Sequence, residues 1–247
     1  MSHILRHWRE AATLLLTAKS KVVTKNQSSN FQVLMLKRSG QSKSMPNLHV
    51  FPGGVASDAD FSADWLELYG RLGEGSVNCL KSFLQRGGPG SYMFSRERPA
   101  EFSTIPPELA FRICAIRETF EEAGILLVRD VGRLRKEPII ESNQPLSGNS
   151  LVLPDSVLKP WRENVFADSS QFLVMCKDLD MVPDVWSLYE WSNWLTPILP
   201  SGGRRYDTVF YTCVLDSIPD AVHCVKETTE AKVKIVVIDF NKNCQQK

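Results

Sequence analysis

No apolar run in this 247-residue chain approaches the roughly 18–20 residues that a membrane-spanning helix needs. A membrane span is therefore not expected. Net charge is also missing: 29 Lys and Arg offset 28 Asp and Glu to leave a formal +1. No global field draws the chain toward nucleic acid or anionic lipid, and any phosphate binding must be local. Cys79, Cys114, Cys176, Cys213, Cys224 and Cys244 form no C-x-x-C pair. Neither a disulfide framework nor a zinc site is suggested, and a reducing, intracellular compartment fits better. The opening "MSHILRHWREAATLLLTAKSK" has basic residues before an apolar run, but "AATLLL" is shorter than a signal core and no small-residue cleavage site follows. It reads as a first strand, with a mitochondrial-type presequence the lesser alternative because Glu10 interrupts the basic pattern.

What is present is ordinary globular material: 43% hydrophobic residues with 14 Gly and 14 Pro. One domain over 8–240 is expected, with an insertion over about 56–104 and a divergent tail over about 216–247. Residues 11–18 and 31–37 have strand length, joined by a polar loop or hairpin. Pro52-Gly53-Gly54 punctuates the backbone where it can take positive φ or approach a ligand. In the insertion, "WLELYGRL" and "VNCLKSFLQR" are short helix candidates. The strongest helical signal runs between Pro106 and Leu127, with Ser103 or Thr104 as cap, Pro107 in the first turn and Gly124 as terminator. Residues 157–182 read as helical, "RRYDTVFYTCVL" and "KIVVIDF" as strands. Trp186, Trp191 and Trp194 fall in a segment read as partly helical and fit a core more readily than an adenine or acyl pocket.

The stretch "RETFEEAGI", Arg117 to Ile125, concentrates carboxylates. With Glu118 as zero and about 100° per residue, Glu122 falls near ~40° and Glu121 near ~300°, so the three acids share one helix face. Leu109, Ile113, Ile116, Phe120 and Ala123 form an apolar stripe opposite. Like charges at i+3 and i+4 repel, so a compensating cation is expected: Arg117 at i−4 to Glu121, or a hard divalent ion held by carboxylate oxygens. A solvated acidic face with one ion pair remains the alternative on these acids alone.

The order R-E-x-x-E-E-x-G plus an apolar residue, downstream of a strand and a Gly-Gly pair, resembles the signature of the Nudix hydrolases. Here it comprises Arg117, Glu118, Glu121, Glu122, Gly124 and Ile125, with Gly53 and Gly54 upstream. In the usual box a glycine, five residues, a glutamate and seven residues precede the arginine. In this chain the glycines lie some sixty residues upstream and Ser103 and Leu109 occupy the counted positions, so an insertion splits the box. The split box with "WSNWLTP" and "RRYDT" is similar to the acyl-coenzyme A diphosphatase branch. "LMLKRSGQSKSMPNLHVFPGG" partly resembles the pattern of coenzyme A-directed members: Arg38, Ser39 and Phe51 to Gly54 match, while Lys43 replaces an Arg and Asn47 a Gly.

This resemblance implies an α/β fold, a Nudix α/β/α sandwich with a mixed sheet, and metal-dependent hydrolysis of coenzyme A or acyl-coenzyme A to 3′,5′-ADP and (acyl-)4′-phosphopantetheine. Glu118, Glu121 and Glu122 are then the ligands of Mg²⁺ or Mn²⁺, and Arg117 orients Glu121. Gly53 and Gly54 offer backbone N–H groups to the diphosphate, and Arg38, Lys43, Arg204 and Arg205 are candidates for the phosphate charges. His49 is a lesser candidate for a base. A small-molecule substrate, no nucleic acid and no membrane span are expected, with the oligomeric state open. The resemblance also implies a peroxisomal location, whereas "NCQQK" is no peroxisomal tripeptide, leaving peroxisome, mitochondrion and cytoplasm open. Another nucleoside diphosphate substrate such as ADP-ribose, or a non-catalytic binding module, stands as the alternative.

Overall fold

The structure is a computed structural model that describes residues 8–19, 31–40, 46–74, 80, 91–139, 146–198, 204–219 and the main chain of 228–236. The first strand, β1 (Trp8–Lys19), alternates as a half-buried strand should: Ala12, Leu14, Leu16 and Ala18 are buried, while Thr13, Leu15 and Thr17 point to the other, half-buried face. It is followed by β2 (Phe31–Arg38), β3 (His49–Val50) and β4 (Gly53–Val55). Thus Gly53-Gly54 forms a strand with Thr13 and Ala12 as antiparallel partners.

Helix α1 (Asp64–Gly70) and the long helix α2 (Pro107–Ala123) come next. They precede β5 (Leu126–Asp130), α3 (Val131–Lys136) and β6 (Ser150–Leu151). The helical reading of 157–182 resolves into α4 (Asp155–Ala167) and α5 (Gln171–Asp178). Strands β7 (Met181–Pro183), β8 (Tyr189–Leu195), β9 (Arg205–Leu215) and β10 (Thr228–Val236) complete the order.

Among the described residues, the large sheet runs β10-β2-β1-β9-β8, with β3 on β2 and β4 on β1. It is mixed: β1 and β9 are parallel from Trp8↔Arg205 to Ala18↔Leu215, and its other pairings are antiparallel. A second, small sheet has the order β6-β5-β7. The parallel pair requires a long crossover, and everything from β2 to β8 lies within it. The expected last strand begins upstream of "KIVVIDF" and occupies the sheet edge by pairing with β2.

Helix α2 packs on the large sheet along β1, β4 and β9 and touches β5 and α4 on its other flank. Pro106 is its N-cap, not Ser103 or Thr104, and Pro107 fills the first turn, where a missing N–H costs nothing. It ends at Gly124, whose φ of 70° suits glycine and whose N–H reaches the Phe120 carbonyl. The alternative of a solvated acidic face does not hold: Glu121 and Glu122 are buried and Glu118 is half-buried, because the helix lies between two layers.

The insertion contributes to the same core. Phe61, Trp65, Leu68, Tyr69, Met93 and Phe94 join the cluster around α2, with Phe61 edge-on to Phe111 at 5.5 Å. Its later part is tied to the end of the large sheet: Arg96 and Arg98 donate to Glu10 at 3.1 and 2.8 Å, and Arg96 pairs with the buried Asp207. The helix candidate "VNCLKSFLQR" lies outside the described residues except Leu80, and the proposed 20–30 connection lies outside them entirely. Among the described residues, no helix is long and apolar enough to cross a membrane.

Candidate active site

The last two turns of α2 meet β4 edge-on, and the sequence explains the closeness. A methyl at Gly54 would overlap the Glu118 carboxylate, and one at Gly53 would meet the main chain of Ala12 and Thr13. With glycine at both, the Gly53 N–H donates to Glu122 Oε2 at 2.9 Å. The glycine pair therefore seats two of the three glutamates against the sheet.

Arg117 organises the remaining charge. Its Nε and Nη2 donate to the two oxygens of Asp60 at 2.8 and 2.9 Å, its Nη1 to Glu121 Oε1 at 2.6 Å and to Glu118 Oε1 at 2.9 Å. Nη2 also reaches the Val55 carbonyl at 3.3 Å. Asp60 is itself held by a capping box, accepting from the Ser57 N–H at 2.8 Å. Burial works against the Arg117 charge, but its carboxylate partners, Asp60 foremost, hold its pKa well above the ordinary arginine value.

Asp60 was missed in the sequence, although a signal existed. Counted forward from Gly54 it stands after five residues, the place of the acid in a glycine, five residues, acid pattern. The box is thus split between its acid and its arginine, and counting backward from Arg117 landed on residues with no such role. Ser103 donates its hydroxyl to the Arg98 and Pro99 carbonyls, and Leu109 is core.

Three carboxylates share one guanidinium, and Glu122 stands beside them, so the negative charge is in excess. Burial pushes the Glu118 carboxyl up from the usual carboxylate range to about 7, opposed by Arg117 and assisted by repulsion from Glu121 and Asp60. Its side chain is only 14% exposed. Such a donor set fits a hard divalent cation: carboxylate oxygens, surplus negative charge and a pocket-facing pair in Glu118 and Glu122. Glu121 is turned toward Arg117 and does not line the pocket, and among the described residues no three Asp, Glu, His or Cys side chains converge as a ready-made metal cluster.

Glu118 and Glu122 open into a cavity of about 740 Å³ on the half-buried face of the large sheet, a size suited to a small-molecule ligand. Its floor is Ala11, Thr13, Thr208 and Phe210, and Gly53, Gly54, Arg38 and His49 line one side. Trp194 and Tyr206 close the other; the sequence favours a core place for Trp194 over a pocket, and it does not single out Tyr206, Thr13 or Phe210, since alternation marks a face but not what it faces. Arg204 and Arg205 do not line it: Arg204 is exposed, while Arg205 donates to the Thr196 carbonyl at 2.9 Å and stacks over Trp8. Lys43 lies outside the described residues. The tryptophan reading is corrected in part: Trp186 is core, but Trp191 and Trp194 are exposed on strand β8.

The family model described as the NUDT19 Nudix domain matches residues 8–238. The chain is 45% identical over 231 residues to the acyl-coenzyme A diphosphatase NUDT19 of Gallus gallus, covering 89% of this chain and 58% of that protein. It is 40% identical to the protein of the same name from Xenopus laevis (94% and 63% covered) and 39% identical to that from Homo sapiens (86% and 57%). The chain therefore spans about three fifths of the length of these relatives. A crystal structure of a NUDIX hydrolase from Alicyclobacillus acidocaldarius, 21% identical, superposes with a TM-score of 0.57 over 92% of this chain and 78% of that one, a likeness of fold. With the family model spanning nearly the whole chain, and with Gly53, Gly54, Glu118 and Glu122 lining one pocket, this protein belongs to the NUDT19 Nudix domain family.

Proposed function

We propose that this chain hydrolyses the diphosphate bond of coenzyme A and acyl-coenzyme A, giving 3′,5′-ADP and (acyl-)4′-phosphopantetheine, with Mg²⁺ or Mn²⁺ held by Glu118 and Glu122. The observation that carries this reading is the shared pocket: both glutamates, the Gly53-Gly54 strand and Arg38 line one cavity. The names of the relatives supply the substrate class. A bound divalent cation would neutralise diphosphate charge and lower the pKa of a water that attacks phosphorus.

The chain's own residues prepare that encounter. The Gly53 N–H fixes the Glu122 carboxylate, and Arg117 Nη1 bridges Glu118 and Glu121 while Asp60 fixes Arg117. Glu121, which does not line the pocket, is a positioning residue in this arrangement. Arg38 meets phosphate charge at the pocket wall, where a guanidinium forms paired hydrogen bonds.

The test is to offer the purified chain coenzyme A, ADP-ribose and a dinucleoside polyphosphate in parallel with Mg²⁺ and to identify products by chromatography. The reading predicts a kcat/KM for coenzyme A at least about tenfold above the others. The opposite order would assign another nucleoside diphosphate substrate, and no turnover of any would leave a binding module.

A further inference from the structure

The open face of the large sheet continues past the carboxylates. Because β1 and β9 run parallel in register, Thr13 with Phe210, Leu15 with Thr212 and Thr17 with Val214 form successive rungs on that face. The first rung floors the active-site pocket, and the next two floor a second cavity of about 570 Å³. Phe51 lines both. Phe31, Val33 and Met35 of β2 make the far wall, and Trp191, at a bulge of β8, stands over the near one. Among the described residues that line it, the only charged one is Lys19, at the rim. Trp191 is 69% exposed and Val214 48% exposed, so an apolar surface is presented to solvent beside the site.

We propose that this trough takes the thioester end and the first methylenes of the acyl chain of acyl-coenzyme A, an inference that rests on the coenzyme A reading above. The lengths agree. The arm from the diphosphate to the thioester sulfur has about 13 bonds and reaches roughly 15 Å when extended. Glu118 lies against Gly54, which pairs with Ala12, and the strand rise from Ala12 to Thr17 covers roughly 17 Å. The sulfur therefore falls within the apolar stretch, and methylenes beyond it meet Phe31, Val33 and Val214. Continuity through Phe51 and the lack of acids among the described lining residues fit an uncharged chain tethered to a phosphate group in the first pocket.

The experiment measures kcat/KM for coenzyme A and its acetyl, hexanoyl and dodecanoyl esters, for the original chain and for Trp191→Ala and Val214→Glu. Both positions are exposed, so the fold tolerates the changes. The proposal predicts up to about a fourfold gain per methylene until the trough is full. Either variant should lower the dodecanoyl-to-free coenzyme A ratio by about tenfold. In parallel, with chelator present and no hydrolysis, dodecanoyl-coenzyme A brominated along the chain should quench emission in the original chain and much less in Trp191→Phe. Hydrolysis without length dependence, or a quench unaffected by Trp191→Phe, overturns the trough while the diphosphatase reading stands. Absent hydrolysis with a Trp191-dependent quench keeps the trough and sinks the diphosphatase; absence of both sinks both.

Discussion

Asp60 and Arg117, 57 residues apart in sequence, are joined by two parallel hydrogen bonds of 2.8 and 2.9 Å in the buried interior. The pair closes the split box across the insertion. Removing Arg117 leaves Asp60 and Glu121 buried without their cation, which for a broken buried pair costs about 3–5 kcal/mol. Arg117→Ala should lower the urea midpoint accordingly. Asp60→Glu should lose less than Asp60→Ala, since it keeps the charge, and a loss below ~1 kcal/mol for Arg117→Ala would place the pair outside the stability of the fold.

The Glu118 carboxyl sets a pH dependence for the metal-free protein. Its folded pKa of about 7 lies above the ordinary value of 4.5, so the folded form binds more protons between those limits. The stability this group contributes is present below the ordinary value and is lost as pH rises through 7. Glu118→Gln should therefore melt higher than the original chain at pH 8 by roughly 1–3 kcal/mol and equally at pH 4, while losing cation affinity. Titration with Mn²⁺ should show the original chain's affinity falling as pH drops below 7, because binding must displace that proton.

The two glycines of β4 should fail differently. A methyl at Gly54 meets the flexible end of Glu118, so Gly54→Ala should keep most stability and lose about tenfold or more in kcat by displacing a carboxylate. At Gly53 it meets the main chain of β1, and Gly53→Ala should cost stability of about 1–3 kcal/mol through overpacking. Thermal melts beside initial rates separate the two.

Arg38 and Arg205 make a paired test of the substrate wall. Arg38 lines the pocket, so Arg38→Ala should raise KM for coenzyme A about tenfold or more, the loss of a charged hydrogen bond. Arg205 is occupied by the Thr196 carbonyl and the Trp8 ring, and Arg205→Ala should leave KM unchanged. Steady-state rates at several substrate concentrations give both answers.

Local patterns carried the fold well where one face decided it. Alternation in β1, and Pro107 with Gly124 at the ends of α2, were legible because each reflects a short-range constraint. Burial of α2 on both sides was harder to read: Phe111, Cys114 and Ala115 stand one and two turns upstream of Glu118 on its own face, and their apolarity continues the face that β4 and the insertion cover. Asp60 stayed hidden because its partner is distant in sequence. The strand at Trp191 and Trp194 was misread because tryptophan spacing says little once a β-bulge interrupts the alternation.

The most direct measurement is chromatographic detection of 3′,5′-ADP after incubating the chain with coenzyme A and Mg²⁺, beside Glu122→Gln. Gln keeps an acceptor for the Gly53 N–H, so the variant should fold as the original does while losing a carboxylate at the pocket. Product from the original chain, and at least about a hundredfold less from the variant, is the predicted result. Equal product from both, or none from a folded chain that binds the cation, would contradict diphosphate hydrolysis at these carboxylates.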